Sequence, residues 1–185
     1  MKKFVIITAA VLLALSTGTQ AFAKSEQIGN AEVDASLVWA SAPTSGFDST
    51  IGLTIGGGVM LPQIDKNLQG RVDITFLSFD GSVFGTDVTY SRVPITVSGR
   101  YYIPTQQTVK VYGQGGLEMS FDKVETANPL FPGLKASASD INLGLVGGVG
   151  IDVAITPQLS FVADARLHLI TDSYITFQGG VALHF

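Results

Sequence analysis

Hydrophobic and polar residues alternate along the chain from about residue 30 to residue 185, in segments separated by turn-forming residues. Alternation with a period of two is typical of β-strands that have one apolar and one polar face. No apolar periodicity of the helical kind follows residue 24. The pattern predicts an all-β chain of eight strands, over residues 30–41, 50–61, 68–79, 89–102, 108–121, 140–154, 158–170 and 174–185.

The connections between these segments are of two kinds. Short turns with one proline each, LPQIDKN, IPTQQT and ITPQ, occur at every second connection. The other connections are more variable, and the longest covers residues 122–139. This repeat of hairpins predicts an antiparallel up-and-down order of strands. Proline interrupts the ladder of a central strand, so we expect Pro94 at a bulge or another irregular point.

Each predicted strand separates its side chains into an apolar and a polar face. The apolar faces carry no charge; in the fifth strand, for example, Val109, Val111, Leu117 and Met119 share one parity. Glycine and alanine fill the remaining apolar positions. The opposite faces combine small polar residues with His168 and with the charged residues Glu32, Asp34, Arg71, Asp73, Arg100, Lys110, Glu118, Asp152, Asp164 and Arg166.

Two kinds of barrel are compatible with this alternation. A soluble barrel buries its apolar face, whereas a membrane barrel turns that face to lipid. About 11 residues per strand, at about 3.3 Å each and tilted by about 40°, rise about 28 Å, close to the ~25 Å apolar band of membrane barrels. Charged residues make up only 14% of the chain, against a usual value of about 25%. Both observations favour an eight-stranded transmembrane barrel.

Aromatic residues near the strand ends favour the same orientation, because aromatic rings prefer the membrane–water interface. The sequence predicts one girdle of rings at the end with the short turns and a second girdle at the opposite end. The first contains Tyr101, Phe161 and Phe185, and the second contains Trp39, Tyr90, Phe121 and Tyr174.

Eight tilted strands enclose a space that side chains nearly fill. The charges on the polar faces must therefore pair with one another inside the barrel. We expect a side-chain-filled lumen with no open pore and a structural polar network formed by Arg71, Asp73, Arg100, Lys110, Glu118, Asp152, Asp164, Arg166 and His168.

The first segment has the form of an export signal. Lys2 and Lys3 precede the apolar run FVIITAAVLLAL, and AFA at 21–23 has the small-residue pattern of a cleavage site. The alternative is a membrane-anchoring helix, which needs about 20 apolar residues. We expect residues 1–23 to be removed and residues 24–185 to form one barrel domain.

Signals for catalysis, cofactors or nucleic acid are weak. GGGVM, GQGG and GLVGGVG lack the GxGxxG spacing between strand and helix that a nucleotide-binding loop needs. His168 and His184 are expected near opposite ends of the barrel, about 26 Å apart, so they cannot share an ion. The net charge of −4 gives no basic surface for nucleic acid. We expect no catalytic residue, cofactor or metal ion.

Four stretches carry a family resemblance: RVPITVSGRYYIP, VKVYGQGGLEM, INLGLVGGVGIDVAITPQLSFVADARLHL and the terminal GGVALHF. Together they resemble the small eight-stranded outer-membrane barrels of Gram-negative bacteria, of the OmpX, OmpA-barrel and opacity type. The resemblance implies export, a monomer in the outer membrane, and contact with its lipid and lipopolysaccharide. It also implies periplasmic chaperones and a barrel assembly machinery that reads the last strand, with Phe177, Val181, Leu183 and Phe185 as its terminal signal.

These features leave three functions open. We expect a structural or surface-interaction role without catalysis, in which segment 122–139 is the candidate for contact with a host surface, a phage or another envelope protein. The first alternative is a lipid-A-modifying enzyme, which needs a Ser/His/acid set at the lipid face or outer rim; the predicted lipid faces hold no histidine. The second alternative is a soluble exported barrel that carries a ligand.

The parity of the fifth strand gives a direct test of orientation. Val111→Arg should face lipid and cost about 2–4 kcal/mol of folding free energy if residue 111 lies near the midplane. Gln114→Arg should point into the barrel and be better tolerated. Urea titrations in lipid vesicles measure both costs, and equal insertion of the two variants would contradict the assigned orientation.

Overall fold

The computed structural model describes residues 30–83, 86–104, 109–127 and 135–185, so the predicted signal at 1–23 lies outside the described residues. The described residues form eight β-strands. These are β1 (Ala31–Ala40), β2 (Thr50–Met60), β3 (Leu68–Val83), β4 (Thr86–Tyr102), β5 (Val109–Ala127), β6 (Lys135–Ala154), β7 (Leu159–Leu169) and β8 (Tyr174–His184). None of the described residues form a helix with the length and hydropathy needed to cross a membrane.

The strands form one closed barrel in which each strand pairs antiparallel with its neighbours in sequence, and β8 pairs with β1. This confirms the predicted all-β, up-and-down, eight-stranded architecture. A path that starts at Ala31 and follows the paired residues across each strand in turn reaches Ile175 on β8. The Ile175 carbonyl accepts a hydrogen bond from the Ser41 amide at 2.9 Å, so the path returns to the first strand beside Ser41 and not beside Ala31. A stagger of this size in eight strands corresponds to a strand tilt of about 40°.

One end of the barrel, called here the short-turn end, contains the start of β1 and the end of β8. The connections at 61–67, 103–108 and 155–158 lie at the same end. The other end, called the hairpin end, differs from the prediction. The expected loop at 122–139 is mostly strand, because β5 and β6 stay paired up to Ala127 and Lys135. Likewise β3 and β4 stay paired up to Val83 and Thr86. Both faces of the β5–β6 extension carry polar residues, so the alternation that reveals a half-buried strand is lost there.

Pro94 interrupts one ladder without changing its register. Between β3 and β4 the pairing runs to Ile74–Ile95 and resumes at Leu77–Arg92 with the same offset. Proline lacks the amide hydrogen that a ladder needs. The irregular point predicted at Pro94 is therefore a local gap in pairing, and no residue is inserted.

Most large apolar side chains of the strands lie on the outside of the barrel, and most charged side chains of the strands lie inside it. Leu143 on β6 is 77% exposed and Leu117 on β5 is 66% exposed, whereas Arg92 is fully buried. Exposed large apolar side chains occur on all eight strands. A continuous apolar exterior around a closed sheet is the arrangement of a transmembrane β-barrel.

The contact between β8 and β1 closes the barrel and depends on a glycine. A Cβ atom added at Gly180 would lie 2.1 Å from the Ala35 carbonyl oxygen and 2.5 Å from Ser36 Cα. Since these neighbours are backbone atoms, the two strands could accept a side chain there only by moving apart. A Cβ at the adjacent Gly179 would meet only the Phe161 ring, at 3.6 Å.

We predict that Gly180→Ala destabilises the folded barrel by about 1–3 kcal/mol, because it overpacks the closing contact. Gly179→Ala is the matched control, and it should be neutral or stabilising by about 0.5–1 kcal/mol, since glycine is costly inside a strand. Urea unfolding in lipid vesicles measures both effects, with heat-modifiable migration on gels as the readout of the folded fraction. Equal stability of the two variants would contradict the tight seam.

Candidate functional site

Charged side chains converge inside the barrel because alternate residues of every strand point inwards. The buried charged residues and the one buried histidine are Glu32, Asp34, Arg71, Asp73, Arg92, Arg100, Glu118, Asp122, Asp152, Asp164, Arg166 and His168. Buried charges are stable only when they are paired and hydrogen-bonded. The pairing therefore determines what the interior can do.

Arg71 is the centre of the largest group. Its guanidinium contacts the carboxylates of Glu32 and Asp34 on β1, and it donates a 2.7 Å hydrogen bond to Asp73 Oδ1 on its own strand. All of these side chains are buried. Arg71 thus ties β3 to β1 across the width of β2.

Two further arginines extend this group to the opposite wall. Arg166 Nη1 on β7 donates to Asp73 Oδ2 at 2.9 Å, and Arg166 Nε donates to Asp164 Oδ1 at 2.9 Å. Arg100 on β4 donates to Glu32 Oε1 at 3.2 Å. The result is one arginine network, composed of Arg71, Arg100 and Arg166 with Glu32, Asp34, Asp73 and Asp164.

Asp164 is also satisfied by neutral groups. Tyr112 Oη donates to its Oδ2 atom at 3.1 Å, and Gln178 Nε2 donates to the same atom at 2.9 Å. The Arg100 guanidinium lies 3.9 Å from the centre of the Tyr112 ring. Cation–π contact and hydrogen bonding together hold these side chains in one arrangement.

A second ion pair lies nearer the hairpin end. Arg92 Nε and Nη2 donate to the two carboxylate oxygens of Asp122 at 3.0 and 2.9 Å. Asp122 also accepts from Ser120 at 2.6 Å and from Asn142 at 3.0 Å. A bidentate pair with this many donors is geometrically fixed.

His168 belongs to a third group. Its Nδ1 atom contacts the Glu118 carboxylate, and its Nε2 atom lies 3.0 Å from the Thr176 hydroxyl. The imidazole stacks on the Tyr174 ring with a centroid separation of 4.2 Å. Both ring nitrogens are thus occupied and the ring is buried, so His168 has no free nitrogen for a substrate.

An apolar layer caps the charged interior at the hairpin end. Its members are all buried, and they are Val38, Ala40, Leu77, Phe79, Tyr90, Ile170 and Tyr174. Phe47, from the connection between β1 and β2, packs against this layer. This layer corrects the prediction of polar inner faces along the whole barrel, because apolar side chains are stable where the β1–β2 connection covers them from water.

The predicted polar residues separate into groups. Arg71, Asp73, Arg100, Asp164 and Arg166 lie in the arginine network, whereas Glu118 lies with His168. Asp152 is buried at the short-turn end.

Lys110 departs from the prediction. It is exposed at the rim, with its ammonium group 5.8 Å from the Tyr102 ring centre. The prediction failed because residue 110 is the second residue of its strand, where inward parity no longer means burial.

Arg92 and Asp122 were missed. Asp122 falls in the predicted connection at 122–139, and Arg92 shares its parity with Arg100 on the same strand. Parity alone could therefore have found Arg92, whereas Asp122 required the true length of β5.

Two girdle predictions are wrong. Tyr90 and Tyr174 are 7% and 2% exposed, because they share the inward parity of Arg92 and Thr176 in their strands. The other five predicted girdle rings are at least partly exposed: Trp39, Phe121, Tyr101 and Phe161 are exposed, and Phe185 is half-buried.

The terminal segment proposed as an assembly signal lies at the seam. Phe177 and Val181 face outwards and are exposed, and Leu183 is half-buried. Phe185 exchanges backbone hydrogen bonds with Ala31, at 2.8 and 3.3 Å. The last residue is thus held by the first strand.

A cavity of about 450 Å³ lies at the short-turn end. Glu32, Asp152 and His184 line it, and their potential ligand atoms lie within 4.8 Å of one another. His184 Nε2 lies 2.8 Å from Ser160 Oγ, and His184 Nδ1 lies 3.7 Å from Glu32 Oε2. Sequence parity gives no sign of this cluster, because three separate strands must meet to form it.

A family model described as "Outer membrane protein beta-barrel domain" matches residues 7–185. The chain belongs to this outer-membrane β-barrel family. Membership confirms the resemblance carried by the four sequence stretches, and it agrees with the apolar exterior of the barrel. A search of curated protein sequences found no match.

Solved structures show the same fold in other outer-membrane barrels. OprG from Pseudomonas aeruginosa aligns with a TM-score of 0.62 at 13% identity, covering 85% of this chain and 96% of OprG. Ail of Yersinia pestis, solved with the heparin analogue sucrose octasulfate, gives 0.56 at 15% identity, covering 85% and 97%. Neisserial surface protein A gives 0.53 at 21% identity, covering 84% and 96%.

The arginine network gives a prediction about stability. Arg71→Met leaves the carboxylates of Glu32, Asp34 and Asp73 without their central cation, and we expect a loss of about 3–5 kcal/mol. Lys123→Met is the control, because the Lys123–Glu125 pair is exposed and should contribute about 0–1 kcal/mol. Urea unfolding in lipid vesicles compares the two, and similar losses would show that the network does not stabilise the barrel.

Proposed function

We propose that this outer-membrane β-barrel protein is an integral structural or surface-interaction protein with a sealed lumen and no catalytic activity. In this proposal residues 1–23 direct export and are removed. The short-turn end faces the periplasm and the hairpin end faces outwards. The periplasmic chaperones, the barrel assembly machinery and lipopolysaccharide are proposed as its partners in assembly and in the membrane.

The sealed lumen is supported by the order in which layers of side chains follow one another along the barrel axis. The arginine network fills the half towards the short-turn end, and the Arg92–Asp122 pair and the His168 group lie beyond it. The apolar layer with Phe47 covers the hairpin end. An ion crossing the barrel would have to displace each of these in turn, and buried ion pairs are costly to separate.

The surface role is supported by the length of the paired strands at the hairpin end. On β5, six residues follow the outward-facing ring of Phe121 before the strand ends at Ala127. At about 3.3 Å per residue and a tilt of about 40°, this extension rises about 15 Å beyond the level of that ring. A paired hairpin loses less entropy on binding than a loose loop, so it is suited to present a contact surface.

The lipid-A-modifying enzyme is the main alternative, and one feature bears on it. Ser160, His184 and Glu32 stand in the order of a Ser–His–acid set, with Ser160 Oγ 2.8 Å from His184 Nε2. Ser160 is 1% exposed and does not line the cavity, so no acyl group can reach it. His184 also lies at the short-turn end, away from the outer leaflet that holds lipid A.

A soluble ligand carrier is disfavoured by the outer surface. The described strands expose large apolar side chains around the entire barrel, and a water-soluble carrier would bury them. We expect the protein to be extracted from outer-membrane fractions only by detergent and to show heat-modifiable migration on gels.

The proposal predicts that the protein neither conducts ions nor changes lipid A. In planar lipid bilayers the folded protein should give no stepwise conductance at a setting where a general porin does, because the interior is filled. Lipid A from cells that overexpress the protein should keep the acyl pattern of the deletion strain by mass spectrometry.

The Ser160→Ala variant is the control for catalysis. A change in lipid A that appears with the wild-type protein and disappears with Ser160→Ala would establish the enzyme instead. A steady single-channel conductance would separately overturn the sealed lumen.

A further inference from the structure

We propose that Glu32, Asp152 and His184 form a binding site for a divalent transition-metal ion at the short-turn mouth of the barrel, with Zn²⁺ as the representative ion. Their candidate ligand atoms already lie within 4.8 Å of one another. One imidazole nitrogen with carboxylate oxygens is a ligand set that Zn²⁺ accepts, with water completing the coordination. The site is additional to the proposed structural function and replaces the sequence-based expectation of no metal.

Asp152 is a buried carboxylate with no close cationic side chain among the described residues. Its side chain is 5% exposed, and among the described residues its one ion-pair contact is with His184, at 4.0 Å. Lys110 lies opposite Asp152 in the β5–β6 register, but its ammonium group turns to the Tyr102 ring. A buried carboxylate without a cation is costly. A bound metal ion would supply the missing charge.

Glu32 has one oxygen available for an ion. Arg71 and Arg100 both contact its Oε1 atom. The Oε2 atom instead faces His184 Nδ1 at 3.7 Å, which is too long for a hydrogen bond. The arginines thus fix the Glu32 carboxylate without occupying the oxygen that points to the cavity.

Ser160 sets the orientation of the histidine. If His184 Nε2 carries the hydrogen and donates it to Ser160 Oγ at 2.8 Å, then Nδ1 presents its lone pair towards Glu32 Oε2. In this tautomer the two facing lone pairs repel each other, and a cation bound between them would remove the repulsion. A partner on the second ring nitrogen is a common feature of metal-binding histidines, because it fixes the tautomer.

Gln69 gives independent support. It lines the same cavity, it is 2% exposed, and its Oε1 atom has no hydrogen-bond partner among the described residues. A buried amide oxygen without a donor is unfavourable. Hydrogen bonding to a metal-bound water in the cavity would satisfy this oxygen.

The test titrates ZnCl₂ into the tag-free, folded protein in detergent by isothermal calorimetry. We expect saturable binding of one ion per chain. Asp152→Asn and His184→Gln each remove a ligand and should weaken binding by about tenfold or more, and Ser160→Ala should weaken it by about tenfold through loss of orientation.

His168→Gln is the matched control, since it makes the same change at the chain's other histidine. Zn²⁺ affinity in this variant should stay within about twofold of the wild type, because His168 lies in a separate buried group. Equal affinity in His184→Gln and in the wild type would overturn the site.

A second measurement follows binding in the wild-type protein and needs only one folded histidine variant, for the assignment. Long-range ¹H–¹⁵N spectra of the wild-type imidazoles contain signals from only two histidines. Zn²⁺ should shift the signals of one ring, assigned to His184 by their absence in the variant that folds, and leave those of His168 in place. No shift at 1 mM Zn²⁺, or a His184 ring that stays doubly protonated, would show that a proton fills the role of the ion.

Discussion

The structure depends on one constraint: inside lipid, every backbone amide and carbonyl must find its partner within the sheet. A flat sheet would leave two unpaired edges, so β8 must reach β1. Eight strands that close with this stagger enclose a narrow interior, and the close approach of Gly180 to Ala35 is a direct result of that closure. The arrangement of the interior follows from this narrow space.

A narrow interior forces its charges into contact. Asp73 accepts hydrogen bonds from Arg71 on its own strand and from Arg166 on β7, and Glu32 accepts from Arg71 and Arg100. An apolar layer occupies the interior at the hairpin end. The same geometry that pairs the backbone thus brings buried charges of opposite sign into contact.

The sequence was sufficient for the architecture, because a period of two survives wherever one face meets lipid and the other meets a packed interior. Arg71 and Arg166 could be placed inside from parity alone. The sequence was insufficient where the two faces of a strand no longer differ. In the strand extensions towards Ala127 and Lys135, apolar and polar residues do not alternate. The girdle prediction fails for Tyr90 and Tyr174, because strand parity directs both rings into the interior although aromatic residues favour the membrane interface.

The cluster at the short-turn mouth was beyond prediction for a different reason. Glu32, Asp152 and His184 come from β1, β6 and β8, and only the register around the closed sheet brings their side chains together. Strand alternation specifies which way a side chain points, but it does not specify its height relative to side chains several strands away.

The hydrogen bond from Arg166 to Asp73 has a consequence for how the barrel comes into being. The two residues are 93 positions apart in the chain and lie on opposite walls. Loop-closure entropy opposes such a contact until the intervening strands have paired. A half-built, still open sheet would hold these charges on a wet concave face, without their partners. The arginine network therefore stabilises the barrel only when the sheet closes. We expect folding to be cooperative around the whole circumference, because a partly closed barrel lacks these ion pairs.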